Sequence, residues 1–266
     1  MGKMATPAQS CDYLDALFGQ SGRTAVVTGA SSGLGAEMAR ALASAGGDVI
    51  AVARRESRLL ELAESTADLP GSITPCAADL SGDDGLAAVA AAVSERGGCD
   101  VLVANAGTVE VGKVESMDDE SFSRVLELNL TSQWRLSKTL FPWLAKSDAG
   151  RVINISSIYG ILGPVRSGLS AYAASKHGLV GLTRTQAIEW AEQGITANVI
   201  APGYFPTEMT EQVLASKAAQ RLRQFVPMAR FGATRELAPA LLFLASPASS
   251  YVTGTVLPVD GGWSTW

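Results

Sequence analysis

Tyr172 and Lys176 stand four residues apart in the run Ala171-Tyr172-Ala173-Ala174-Ser175-Lys176, and on a helix that spacing puts both on one face. A free phenol has a pKa near 10, so a tyrosine that trades a proton near neutrality needs a neighbouring cation to stabilise its phenolate. Lys176 is placed to be that cation. A buried tyrosine beside a solvated lysine is common on helices, so the pair gains weight only from its surroundings. Upstream, Ser156-Ser157 closes the β-branched run 151–155, and a serine hydroxyl at the carboxyl end of a strand can hold a substrate oxygen. His177, the only histidine, points about 100° away from Lys176 around the helix and reads as packing or surface.

A second cluster lies near the amino end. Thr28-Gly29-Ala30-Ser31-Ser32-Gly33-Leu34-Gly35 follows the short run 24–28 and opens into a helical stretch. Glycines there let backbone N–H groups and a helix N-terminus approach a pyrophosphate. The spacing G-x-x-x-G-x-G differs from the common dinucleotide fingerprint G-x-G-x-x-G. About 20 residues on, where a carboxylate would hold the ribose of NAD, the chain reads Ala53-Arg54-Arg55-Glu56. A small neutral residue followed by two guanidinium groups suits a 2'-phosphate. NADP(H) is therefore favoured and NAD(H) stays open, with Glu56 as the ribose ligand in the second case.

These residues need a scaffold, and the pattern supplies one. Short apolar runs at 24–28, 48–53, 73–76, 100–104, 151–155, 195–200 and 255–259 predict seven strands covered on both faces, hence a parallel sheet. Between them, 33–45, 56–68, 83–96, 118–145, 171–193 and 235–245 carry helix formers with apolar residues at i, i+3, i+4. Repeated βαβ units mean an α/β doubly wound domain over 23–266, preceded by a lead-in, 1–22, with a short helix near Tyr13 to Phe18. The stretch 203–224 breaks the rhythm and reads as a lid. Twenty-seven glycines, about one residue in ten against a usual ~7%, mark many tight turns.

Composition narrows the partners. A chain of 266 residues that is 47% hydrophobic can bury a large core, which excludes disorder. Net charge −5 argues against nucleic acid or an anionic membrane as the main partner, and no apolar run approaches the ~20 residues of a membrane span. Cys11, Cys76 and Cys99 form no C-x-x-C pair and one histidine completes no zinc set, so no metal is expected. Unpaired thiols and the lack of an export signal point to the cytoplasm.

Taken in order, the motifs resemble those of the short-chain dehydrogenase/reductase family, from about Thr24 to Trp263. The cofactor turn is Thr28 to Gly35; Asn105-Ala106-Gly107 matches the N-A-G that steadies the central sheet; Ser157 precedes the Tyr172-x-x-x-Lys176 pair; Asn129 matches the family asparagine; Asp79-Leu80 resembles the adenine-holding segment. Pro202-Gly203-Tyr204-Phe205-Pro206-Thr207 is similar to the segment that contacts the nicotinamide half and opens the lid.

The resemblance implies a single Rossmann-type domain and hydride transfer between the nicotinamide and a secondary alcohol or ketone. Tyr172 would pass the proton, Lys176 would hold the nicotinamide ribose, Ser157 would orient the carbonyl, and Asn129 would hold a water reaching Lys176. Cofactor contacts would come from Gly29, Ser31, Ser32, Gly33, Leu34, Gly35, Arg54, Arg55, Asp79, Leu80, Asn105, Ala106, Gly107, Pro202, Gly203, Phe205 and Thr207, besides Tyr172 and Lys176. Substrate would meet Ser157, Tyr159, Tyr172 and Tyr204.

Two departures stand out: Ala104 replaces a first asparagine, and the Ser157-to-Tyr172 interval is two residues longer than usual, within 163–169. The closing stretch resembles a gluconate 5-dehydrogenase-like branch, which would use Arg166 or Lys113 for an anionic sugar acid. Ile158, Tyr159, Leu162, Tyr204 and Met209 suit an apolar ketone equally. A 3-oxoacyl-thioester reductase shares the core, and a non-catalytic cofactor-binding sensor would be expected to lose the tyrosine or lysine that this chain keeps. The family's assembly implies a homotetramer paired through the helices carrying Trp134, Trp143 and Trp190, with Trp263 and Trp266 docked rather than floating.

Overall fold

The computed structural model describes residues 7–266, of which 7–12 are described by their backbone alone. A leading helix, α1 (Pro7–Phe18), precedes β1 (Thr24–Thr28), α2 (Gly33–Ser44), β2 (Asp48–Ala53), α3 (Glu56–Glu64), β3 (Ser72–Ala77), α4 (Asp83–Glu95) and β4 (Val101–Ala104). The second half runs α5 (Asp119–Leu126), α6 (Ser132–Leu144), β5 (Arg151–Ile155), α7 (Ser170–Glu189), β6 (Thr196–Pro202), α8 (Glu211–Leu214), α9 (Ala218–Arg223), α10 (Ala238–Ala245) and β7 (Val256–Val259). The seven strands are all parallel, in the order β3-β2-β1-β4-β5-β6-β7. Each expected strand is present: β1, β2 and β5 keep the expected bounds, and the other four have ends moved by a residue or two.

Strand side chains alternate between two cores, which is why the strands read as unbroken apolar runs. On one face Val27, Val49, Val101 and Ile153 pack against Met38 and Leu42 of α2, Leu59 of α3 and Leu241 and Leu244 of α10. On the other, Val26, Ile50, Leu102 and Val152 meet Leu86 and Val89 of α4 and Leu136, Leu140 and Leu144 of α6. β1 and β4 are neighbours, while the chain leaves β1 toward β2 and β4 toward β5. The crevice at their carboxyl ends is the switch point where an open α/β sheet takes a ligand.

Helix ends depart from expectation at named places. The expected single helix 118–145 is interrupted by a π turn, Glu127–Thr131, between α5 and α6. There Ser132 Oγ (2.7 Å) and Gln133 Nε2 (3.0 Å) both donate to the Leu128 carbonyl, so polar side chains support the widened turn. The helix expected to 68 stops at Glu64, where Thr66 Oγ1 donates to the Leu62 carbonyl (2.8 Å) and turns the chain out. Residues 191–193 form a separate 3-10 turn closed by Gly194 at φ +74°. The stretch 203–224, expected as a lid, holds two short helices, α8 and α9.

Candidate active site

The glycine turn between β1 and α2 is built by close approach. A Cβ on Gly35 would lie 2.1 Å from the Gly29 carbonyl oxygen and 2.6 Å from Asn105 Nδ2, and one on Gly29 2.7 Å from the same amide nitrogen. No side chain fits at either position. Asn105 fastens this turn to β4: its Nδ2 donates to the Thr28 carbonyl (2.8 Å), while the Asn105 and Ala106 N–H groups donate to Thr28 Oγ1 (2.8 Å each). Thr28 itself is fully buried, a role that the sequence reading did not assign.

Above the turn opens a cleft of about 530 Å³, and its lining takes in every expected NADP(H) contact, from Gly29 to Thr207, together with Ser157. Asn129, Tyr159 and Tyr204 lie outside that lining. Glu56 starts α3 and does not line the cleft, whereas Arg54 and Arg55 do. Asp79 Oδ1 accepts from the Ser81 N–H (3.0 Å) and hydroxyl (2.8 Å), and these bonds, with Arg54 nearby, hold its carboxyl below the usual range.

The candidate catalytic side chains Ser157, Tyr172 and Lys176 occupy the wall made by β5 and α7. Ser157 follows β5, and its Oγ accepts from the Tyr159 N–H (3.1 Å), which caps the 3-10 turn Ile158–Gly160. Lys176 is buried, its Nζ donates to the Ile155 carbonyl (2.8 Å), and it sits 5.8 Å from the centroid of the Tyr172 ring. Burial lowers its pKa to about 8. Burial raises the pKa of Tyr172, the Ser157 hydrogen bond opposes the rise and Tyr204 adds to it; the lowering that the sequence reading gave to Lys176 falls to Ser157 instead.

Asn129 sits inside the π turn, fully buried. Its Oδ1 accepts from the Thr108 N–H (2.7 Å), and its Nδ2 donates to the Thr108 carbonyl (2.9 Å) and Ser175 Oγ (3.0 Å). Gly107 separates it from the lysine: a Cβ there would stand 3.0 Å from Asn129 Oδ1 and 3.6 Å from Lys176 Nζ. Gly160 was missed by the sequence reading. A Cβ at Gly160 would strike Ser156 Oγ at 2.1 Å and the Lys176 carbonyl oxygen at 2.7 Å, so its small size lets the turn after Ser157 lie against α7. Ser156 Oγ also donates to that carbonyl (2.9 Å).

On the substrate side Tyr159 and Tyr204 join their hydroxyls at 2.9 Å. Tyr204 also packs on Phe231 (5.9 Å between centroids) and Trp263 (5.3 Å), within an apolar cluster that includes Ile158, Leu162 and Tyr172. Met209 lines the cofactor cleft instead. Of the two candidate cations, Lys113 lies at the surface 3.9 Å from Glu115. Arg166 has a buried Nε without a hydrogen-bond partner, and its charge acts on Tyr159, whose pKa burial raises. The longer Ser157-to-Tyr172 loop is pinned where the Gly112 N–H donates to the Gly168 carbonyl (3.1 Å).

Comparison with known proteins agrees with this geometry. Residues 29–264 match the family model described as Enoyl-(Acyl carrier protein) reductase. The chain belongs to the short-chain dehydrogenase/reductase family. It is 38% identical to a 3-oxoacyl-[acyl-carrier-protein] reductase of Vibrio cholerae, over 91% of this chain and 97% of that one. It is 37% identical to a 2-dehydro-3-deoxy-D-gluconate 5-dehydrogenase of Bacillus subtilis, over 94% and 98%. A crystal structure from Beutenbergia cavernae, described as an NAD(P)-dependent gluconate 5-dehydrogenase with NADP bound at low occupancy, superposes with a TM-score of 0.88 at 39% identity, covering 94% of this chain and 99% of that one. This short-chain dehydrogenase/reductase is accordingly an NAD(P)-dependent oxidoreductase. Among its described residues, no helix is long and apolar enough to cross a membrane and no group of three or more potential ligand side chains could hold a metal ion.

Proposed function

We propose that the enzyme interconverts a small secondary alcohol and its ketone with NADP(H), using Tyr172 as the proton carrier. The observation that carries this reading is the placement of Ser157, Tyr172 and Lys176 on one wall of the cleft, with Asn129 a glycine's width from the lysine. The glycine turn admits no side chain and so suits a pyrophosphate, while Arg55 and Ser31, which lie within hydrogen-bond reach of each other at 3.0 Å, suit a 2'-phosphate.

The nicotinamide, when bound, supplies or accepts the hydride. Ser157 Oγ donates to the substrate oxygen and fixes its position. Tyr172 Oη gives its proton to that oxygen in reduction and takes it in oxidation. Lys176 holds positive charge beside the phenol, and Asn129 keeps the Thr108 backbone and Ser175 in place behind it.

The aromatic wall around Tyr204 favours a ketone with an apolar face, and Arg166 favours one that also carries a carboxylate. Reduction of a 3-oxoacyl thioester is the second reading, supported by the 38% identity to the Vibrio cholerae reductase. Exposed Trp134 on α6, Phe122 on α5 and Ile188 on α7 support assembly into a homotetramer through these helices. Free, buried Cys76 and Cys99 suit the reducing cytoplasm.

The test is NADPH oxidation against neutral ketones, keto acids including a 5-ketogluconate, and an acetoacetyl thioester. Tyr172→Phe should lower turnover by about 10²-fold or more while leaving NADPH affinity near wild type. Turnover within tenfold of wild type would remove Tyr172 from the proposed role.

A further inference from the structure

The arginine suited to a 2'-phosphate already holds a carboxylate. Glu208 lies in the lid segment, directly after Thr207, whose side chain stands 3.1 Å from where a Cβ on Gly33 would be. Its two oxygens accept from Arg55 Nη1 (3.2 Å) and Nη2 (2.9 Å), and Ser32 Oγ donates to Oε2 at 3.0 Å. The rest of the fork is taken by Ser31, whose Oγ accepts from Arg55 Nε (3.3 Å) and Nη2 (3.0 Å). Arg55 Nη2 also lies 2.9 Å from Ser32 Oγ. One guanidinium and two serine hydroxyls of the cofactor cleft thus converge on a side chain carried by the lid.

We propose that Glu208 is an internal competitor for the 2'-phosphate, so that it sets the preference between NADPH and NADH. The inference rests on the reading of Arg55 as the phosphate ligand. A phosphate and a carboxylate seek the same fork geometry, and both cannot hold one guanidinium's paired N–H groups. A cofactor bearing the 2'-phosphate must displace Glu208, and its apparent affinity is reduced by the fraction of molecules in which the pair is closed. NADH lacks the phosphate and leaves the pair intact. Displacement also releases the lid from the glycine turn at Glu208, so only the phosphorylated cofactor loosens that end of the lid.

Titration calorimetry with adenosine 2'-monophosphate, adenosine 5'-monophosphate, NADPH and NADH tests this on wild type, Glu208→Gln, Glu208→Ala and Arg55→Ala. The expected result is that both Glu208 variants bind adenosine 2'-monophosphate and NADPH about three- to tenfold more tightly, with no change for adenosine 5'-monophosphate or NADH. Unchanged or weaker NADPH binding in folded Glu208→Gln and Glu208→Ala overturns the proposal, because Glu208 would then not oppose the phosphate. If wild type fails to prefer the 2'-phosphate and Arg55→Ala changes nothing, the reading of Arg55 fails first, and the proposal with it.

Discussion

Lys176 Nζ donates to the carbonyl of Ile155, the last residue of β5, across 2.8 Å of buried space. The bond ties α7, which bears Tyr172, to the strand that leads into Ser157, and so holds the two elements that carry the proposed proton carrier and orienting hydroxyl in one relative position. It also keeps an ammonium group where burial opposes its charge.

That opposition has a pH signature. The folded-state pKa of Lys176 is lowered from 10.5 to about 8, so between these values the unfolded chain binds more protons and stability from this group rises with pH. Cys99, pushed up to about 12 from 9 by burial, acts in the other direction above pH 9. Thermal melts of wild type and Lys176→Met from pH 7 to 10 isolate the lysine: wild type is expected to gain stability relative to the variant above pH 8. Parallel curves would show that the lysine is not so perturbed.

Gly35→Ala introduces a methyl group 2.1 Å from the Gly29 carbonyl oxygen. Overpacking of this kind costs about 1–3 kcal/mol. The expected outcome is a lowered melting temperature together with a loss of more than about tenfold in affinity for both NADPH and NADH, since the turn proposed to seat the pyrophosphate would serve both.

Gly107→Ala places a methyl group between Asn129 Oδ1 and Lys176 Nζ, 3.0 and 3.6 Å away. The first contact is tight and the second is ordinary, so the fold should survive. We expect kcat to fall about tenfold or more with a smaller change in KM, the mark of a disturbed proton carrier rather than a disturbed substrate pocket.

Trp263→Ala empties a site that is 3% exposed and removes the ring packed on Tyr204 and Phe225. About 3 kcal/mol of stability should be lost. KM for ketones should rise while NADPH affinity holds, as measured by steady-state kinetics and fluorescence titration.

Arg166→Met tests the charge preference of the pocket. Removing a charge-assisted hydrogen bond costs about 1.5–3 kcal/mol, so kcat/KM for a keto acid should drop about tenfold or more and that for a neutral ketone should not. Equal losses for both would assign Arg166 a purely structural place.

The parallel sheet was legible because its strands are short, β-branched and apolar on both faces, as in 48–53 and 151–155. The glycine turn and the tyrosine–lysine pair were legible because they are local: their spacing fixes their geometry. What stayed hidden depends on contacts distant in sequence. The π turn around Asn129 rests on Gln133, which also donates to the Ala106 carbonyl (2.8 Å), and no helical periodicity encodes that. Gly160 is one glycine among many until α7 is laid against it. Glu208 went unremarked in the sequence because its partner, Arg55, is 153 residues away and reaches it only once the turn after β2 lies beside it.

The aromatic wall has a consequence for how the protein is made. Tyr204 and Phe225 pack on Trp263, which follows the last strand, β7. During synthesis from the amino end, the glycine turn, Ser157, Tyr172 and Lys176 all emerge before that tryptophan. The aromatic wall is therefore the last of these parts to close, and until residue 263 arrives the nascent chain displays aromatic surface that invites misassociation.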